Sequence, residues 1–233
     1  MSKHRKMALI YFSTCMMLLV CVKIYSATAT AFAEQDEVER DNCIVIDPGH
    51  GGEDGGAVSC TGTPESTYNL DISRRLRDLL NLLGYKTTMI RETDISVYTK
   101  GDTLAQKKAS DLKERVNLVN ETDGAVLISV HQNYFSDSQY SGAQGFYAKT
   151  DGSQELAEEL QAEFVSKLNP GSRRQAKKSS GIYLMERINC RGILVECGFL
   201  SNPQEEKKLK DVSYQKALCS VIAATVSRYL SNT

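Results

Sequence analysis

The 233-residue chain holds only three histidines. His4 belongs to a basic cluster at the N-terminus, whereas His50 and His131 each sit just past the carboxyl end of an apolar run that reads as a strand. Ligand sites in open α/β sheets gather at the carboxyl ends of strands, so two scarce imidazoles at the same kind of address point to a metal. Taken singly, such a histidine is more often structural than ligating. A catalytic zinc ion takes three protein ligands from His and Asp/Glu and leaves its fourth position open, so a carboxylate is required. Glu65 opens the first long helical pattern, after Pro64, a residue at home near helix starts. Gly51, Gly52, Gly55, Gly56 and Gly62 lie between His50 and Glu65, and so turn-rich a loop can bring both side chains to one point. The same Glu65 also fits an ordinary acidic residue drawn to the helix macrodipole.

A fourth group is Glu196, directly after the apolar run Ile193-Leu194-Val195. Burying a carboxylate at the end of a core strand is costly without a partner or a task. A partly desolvated glutamate with raised pKa suits the general base that takes a proton from water; an exposed residue at a strand end is the plainer alternative. Cys197 next door is a rival zinc ligand, but neighbours on a strand point to opposite faces.

These residues need a frame. Residues 43–46, 86–90, 125–130, 145–148, 182–185 and 193–195 read as strands. Helical spacing appears in Tyr68, Ile72, Leu76, Leu79, Leu80 and Leu83, with Gly84 placed to end that helix. Leu112, Val116 and Val119 mark a second helix, Leu156, Leu160, Phe164 and Leu168 a third, and Tyr214, Leu218, Val221, Ile222, Thr225 and Tyr229 a closing one. Residues 171–180 form a polar, basic stretch expected to be a loop. Unalternating apolar runs separated by helices mean a sheet covered on both faces. The expected fold is therefore a single α/β domain: a twisted, mostly parallel (mixed) sheet of about six strands with helices on both faces.

The N-terminus sets the compartment. Lys3, His4, Arg5 and Lys6 precede an apolar run over residues 7–22, and Ala31-Phe32-Ala33 offers a small-x-small cleavage site. That order is the layout of a secretory signal over residues 1–33. Its apolar run falls short of the ~20 residues that span a bilayer comfortably, and an uncleaved anchor is the alternative. Val20 is too bulky to precede a lipidated Cys21. A charged linker over residues 34–42 leads to the catalytic domain over 43–233. A net charge of −1 gives no broad attraction to nucleic acid. Cys43, Cys60, Cys190, Cys197 and Cys219 are scattered and without a C-x-x-C pair, so they are neither a disulfide framework nor a cysteine zinc site, although one bridge is compatible with them.

Several motifs now resemble one family. Ile44-Val45-Ile46-Asp47-Pro48-Gly49-His50-Gly51-Gly52 looks like the opening motif of the zinc-dependent N-acetylmuramoyl-L-alanine amidases, the Amidase_3 class. Glu65 falls at that family's ligand glutamate. Arg91-Glu92-Thr93-Asp94 resembles its R-x-T-D, and Leu112, Arg115 and Asn117 resemble, imperfectly, its L-x-x-R-x-x-x-A-N region. Ser129-Val130-His131-Gln132-Asn133 matches its S-[IV]-H-x-N, and Val195-Glu196-Cys197-Gly198-Phe199-Leu200-Ser201-Asn202 its V-E-x-G-F-[LIM]-S-N. The resemblance covers the chain from Cys43 onward.

It implies one zinc ion held by His50, Glu65 and His131, with Glu196 catalytic, and hydrolysis of the amide between N-acetylmuramic acid and L-alanine. The compact layout is similar to the sporulation-associated branch (the CwlD type), which implies stripping of cortex peptidoglycan before a partner deacetylase allows muramic-δ-lactam to form. Asn133, Arg174 and Lys177 are candidates for substrate binding. Arg173, Arg174, Lys177 and Lys178 suit the anionic carboxylates of the stem peptide, or else a solvated loop. Without a wall-binding module in the chain as read, an accessory docking protein is conceivable; oligomeric state is not specified. Two rival readings stand beside this one: a peptidoglycan-binding protein that has lost turnover, and a zinc peptidase acting on stem peptides. The H-E-x-x-H helix of a common zinc peptidase class is absent.

Overall fold

In the computed structural model the described residues are 42–232 together with Arg5, Met7, Met16, Met17, Val20, Val22 and Lys23, each of these seven helical. The rest of the expected leader, its cleavage site and the linker before Asn42 lie outside the described residues. No helix of the described residues is long and apolar enough to cross a membrane. The chain divides into two units, Met1–Glu39 and Arg40–Thr233; the second carries the sheet.

Its elements run β1 (Cys43–Pro48), α1 (Glu65–Leu82), β2 (Lys86–Met89), α2 (Leu104–Asn120), β3 (Ala125–Asn133), β4 (Gln144–Tyr147), α3 (Ser153–Glu163) with a π turn (Phe164–Leu168), β5 (Lys177–Lys178), α4 (Tyr183–Arg187), β6 (Arg191–Phe199), α5 (Pro203–Lys210) and α6 (Val212–Ser231). The sheet order is β2-β1-β3-β6-β4-β5. Every pairing is parallel except β4 with β6. The strands are apolar without alternation because each face is covered. Ile44, Ile46, Val126, Ile128, Ile193 and Val195 pack with α1, α3 and α6. Val45, Leu127 and Leu194 pack on the other face with Val119 of α2 and with Leu184 and Met185 of α4.

The mixed six-stranded sheet matches the expectation in class and strand number, but not in every strand. Residues 182–185, read as a strand, form the single-turn helix α4 after Gly181, at φ 75°. A four-residue apolar run carries no usable periodicity, and here its Leu184 and Met185 plug one face of the sheet. The sixth strand is instead β5, inside the basic stretch read as a loop. Helix α5 was not expected: its only buried apolar side chain is Leu209, and it is defined by Asn202, whose side chain accepts from Gln204 and Glu205 amides, and by Pro203.

Candidate metal centre

Strand β1 delivers Asp47 and Pro48 to the carboxyl edge of the sheet, and the chain then turns sharply through Gly49 and His50. His50 sits at φ 61°, a left-handed conformation costly for a side-chain-bearing residue. Two buried guanidinium groups hold it there. Arg91 donates to Pro48 O (2.8 Å) and Gly49 O (3.0 Å), and Arg115 to Pro48 O (3.1 Å) and His50 O (2.8 Å). Arg115 is itself fixed by Asp47 and by Asp111 at 2.6 Å. Burial alone would raise the Asp47 carboxyl, yet the Arg115 charge leaves it below its usual range. Gly49 is required for space: a Cβ there would lie 2.2 Å from the His131 ring.

The glycine-rich loop folds back through short bridges, Gly51 with Asp54 and Val58 with Pro64, so that Glu65 enters α1 facing His50. His50 Nε2 lies 3.3 Å from Glu65 Oε2, and His131 Nδ1 lies 3.0 Å from Glu65 Oε1. The two imidazole rings stand 5.0 Å apart at 76°. One ligand atom from each of the three residues lies within 4.8 Å of the other two. Bonds of ~2.0–2.1 Å to a tetrahedral zinc give ligand–ligand edges of roughly 3.3–3.4 Å, close to the two contacts at Glu65. The donor set, two imidazoles and one carboxylate with both rings partly open to solvent, therefore fits a zinc ion with one position left for another ligand.

The groups around these three hold them in place. His50 Nδ1 donates to Asp54 Oδ2 at 2.9 Å, and Lys108 approaches the same oxygen at 3.1 Å. A carboxylate on the far nitrogen fixes the tautomer and orientation of a ligating histidine. Burial pulls the His50 pKa down, but Glu65 and Asp54 raise it above its ordinary value. Glu65 Oε1 also accepts from Gln132 N (3.1 Å) and Asn69 Nδ2 (3.2 Å), and Oε2 from Ala57 N (3.0 Å). Burial opposes its charge, but His131 and His50 hold its carboxyl far below the usual carboxylate range.

His131 and Glu196 are not beyond their strands, as the sequence suggested. They are register partners inside β3 and β6, and Gln144 of β4 pairs with Glu196 from the other side. Alternation puts Asp47, Ser129, His131, Glu196 and Gln144 on one face, while Cys197 is buried in the cluster on the other. The Oε2 atom of Glu196 is buried with no hydrogen-bond partner. Burial pushes this carboxyl up to about 7, with Glu65 adding to the rise and the two histidines opposing it. Asn133 shares the face as the register partner of Phe199. Arg174 reaches Gln144 Oε1 at 2.7 Å, while Lys177 is exposed on the edge strand β5. Among the described residues, Cys43, Cys60, Cys190, Cys197 and Cys219 form no disulfide. Sequence reasoning missed Asp54 and Asn69; the available signals were a carboxylate four residues after His50 and an amide one helical turn after Glu65.

The family pattern described as N-acetylmuramoyl-L-alanine amidase matches residues 44–228. The germination-specific N-acetylmuramoyl-L-alanine amidase of Bacillus subtilis is 38% identical over 190 residues, covering 81% of this chain and 79% of that protein. The B. subtilis N-acetylmuramoyl-L-alanine amidase LytC is 32% identical over 190 residues, covering 80% of this chain but only 35% of that longer protein. Among solved structures, the CwlD amidase from Clostridioides difficile, in complex with the GerS lipoprotein, superimposes with a TM-score of 0.78 at 36% identity, covering 82% of this chain and 100% of that one.

Proposed function

The chain belongs to the N-acetylmuramoyl-L-alanine amidase family and is a peptidoglycan amidase, and from that premise we propose that it uses one zinc ion held by His50, Glu65 and His131, with Glu196 as the general base. The observation that carries the division of labour is the buried, unpartnered Oε2 of Glu196 on the strand beside His131. When bound, zinc polarises the scissile carbonyl and lowers the pKa of water. Glu196 takes the proton of the attacking water and passes it to the departing alanine nitrogen. The carbonyl carbon–nitrogen bond breaks, leaving a carboxylate on the lactyl group and a free amino terminus on L-alanine. Asp54 keeps His50 turned toward Glu65, and Asn69, Gln132 and Ala57 keep the Glu65 carboxylate from rotating. Asn133 offers its amide to the substrate on the same face.

The biological setting follows the relatives. Identity to a germination-specific amidase supports action on spore cortex, where removing stem peptides lets a deacetylase prepare muramic-δ-lactam. The basic, apolar, small-residue order of residues 1–33 supports export to the wall or cortex compartment. The lipoprotein bound to the C. difficile amidase supports an accessory docking protein here as well. The test is mass spectrometry of purified sacculi digested with the zinc-loaded protein. A free N-terminal alanine on intact stems is the expected product; shortened stems mean a peptidase, and undigested sacculi mean a binding protein.

A further inference from the structure

Resting on the amidase reading, we infer that Arg174 is a specificity-determining residue that reads a carboxylate of the stem peptide and so fixes which way the substrate lies across the sheet. Gln144 is the register partner of Glu196, so whatever Gln144 holds lies one strand from the base. Its Oε1 accepts from Arg174 Nη1 at 2.7 Å, and its Nε2 donates to Gln175 O at 2.9 Å. Arg174 Nε donates to Ser141 O at 2.8 Å, and the guanidinium lies 4.7 Å from the centroid of the Phe199 ring. Phe199 pairs with Asn133 on the same face. The guanidinium is thus fixed in position and plane by two acceptors and one ring, while no described residue accepts from Nη2. Glu205 is the carboxylate whose field it feels, but Glu205 is already engaged by Gly142 N at 2.6 Å and Lys208 Nζ at 3.1 Å.

A pre-ordered guanidinium with a free edge suits planar anions, because little further side-chain freedom is lost on binding. Arg173, Lys177 and Lys178 differ: all three are exposed, whereas Arg174 is partly buried. The chemistry of the polymer then sets direction. On the glycan side of the scissile amide it presents hydroxyls and N-acetyl groups, and the lactyl acid is tied up in the amide itself. Free carboxylates occur on the peptide side. A fixed cation beyond the base, on the β4 side of β6, therefore belongs to the peptide, and the glycan runs toward β1. Amidating the stem carboxylates removes the charge that Arg174 reads.

The experiment compares two disaccharide-peptide substrates, one with free stem carboxylates and one with them amidated, using zinc-loaded full chain. The wild type is expected to cleave the free form with at least about tenfold higher kcat/KM. Arg174→Gln should lose that preference, its kcat/KM falling about tenfold more on the free substrate than on the amidated one, and Arg174→Lys should restore part of it. Equal cleavage of both substrates by the wild type, or an equal loss on both in Arg174→Gln, overturns the inference and leaves the amidase reading intact. Cleavage of neither substrate by the wild type overturns both.

Discussion

Glu65 and Glu196 face the same pair of histidines from different elements, and their surroundings drive their acidities apart. The carboxylate of Glu65 meets five groups: two imidazoles, two backbone amides and the Asn69 side chain. Glu196 sits one strand over with a buried oxygen that meets none. Burial acts against the charge of both, but only Glu65 has partners close enough to overcome it. Two titratable groups whose environments separate their pKa values in this way suit the proposed division into an ionised anchor and a proton carrier. The β1–α1–β3 side of the site is built to hold a fixed charge, and the β6–β4 side to let one change.

This contrast can be broken from either side. The largest effect is expected for Glu65→Ala, which leaves both imidazoles without their shared carboxylate; zinc should fall below one equivalent after dialysis, and turnover should disappear with it. Next comes Arg115→Ala, which leaves the buried Asp47 without its cation and the carbonyl of His50 without its guanidinium donor, while Pro48 O keeps Arg91. Breaking a buried pair by removing one partner costs about 3–5 kcal/mol, and guanidinium melts should record a loss of that order.

The acidity of Glu196 gives a smaller effect with a defined sign. Its folded pKa rises from 4.5 to about 7, so the folded state binds this proton more strongly than the unfolded one. Between those values stability falls as pH rises, and the full penalty, up to about 3 kcal/mol, applies above 7. In chelator-treated protein, Glu196→Gln should therefore be more stable than wild type at pH 8 and nearly equal to it at pH 4.5; equal curves at both values would mean the carboxylate is not desolvated. The smallest effect is that of Asp54→Asn. Losing the charge behind His50 should weaken zinc binding by about 10–100-fold, read by competition with a chromogenic chelator, without removing the site.

The sequence exposed the site unevenly, for physical reasons. His50 was legible because Ile44-Val45-Ile46 is an unmistakable buried strand and glycines follow it. Glu65 was legible from Pro64 and the helical spacing after it. His131 and Glu196 were singled out as candidates, but placed beyond their strands: polar side chains at a sheet's carboxyl edge read as loop, whereas backbone pairing continues to Asn133 and Phe199. Arg91 and Arg115 stood out within motifs, but that their guanidinium groups bind three consecutive carbonyls of the His50 turn is a long-range fact with no local signal. Strand β5 was hidden because edge-strand lysines look like a solvated loop. Helix α5 was hidden because its buried Glu205 and Glu206 carry the pattern of a surface.

The division between anchor and proton carrier is tested most directly by titrating zinc into wild type and Glu196→Gln while following stem-peptide release from sacculi. Both proteins should take up one equivalent with similar affinity, and release by the variant should fall by about 10²–10⁴-fold. A variant that binds zinc and still releases stem peptides at the wild-type rate would contradict the account, as would one that fails to bind the ion at all.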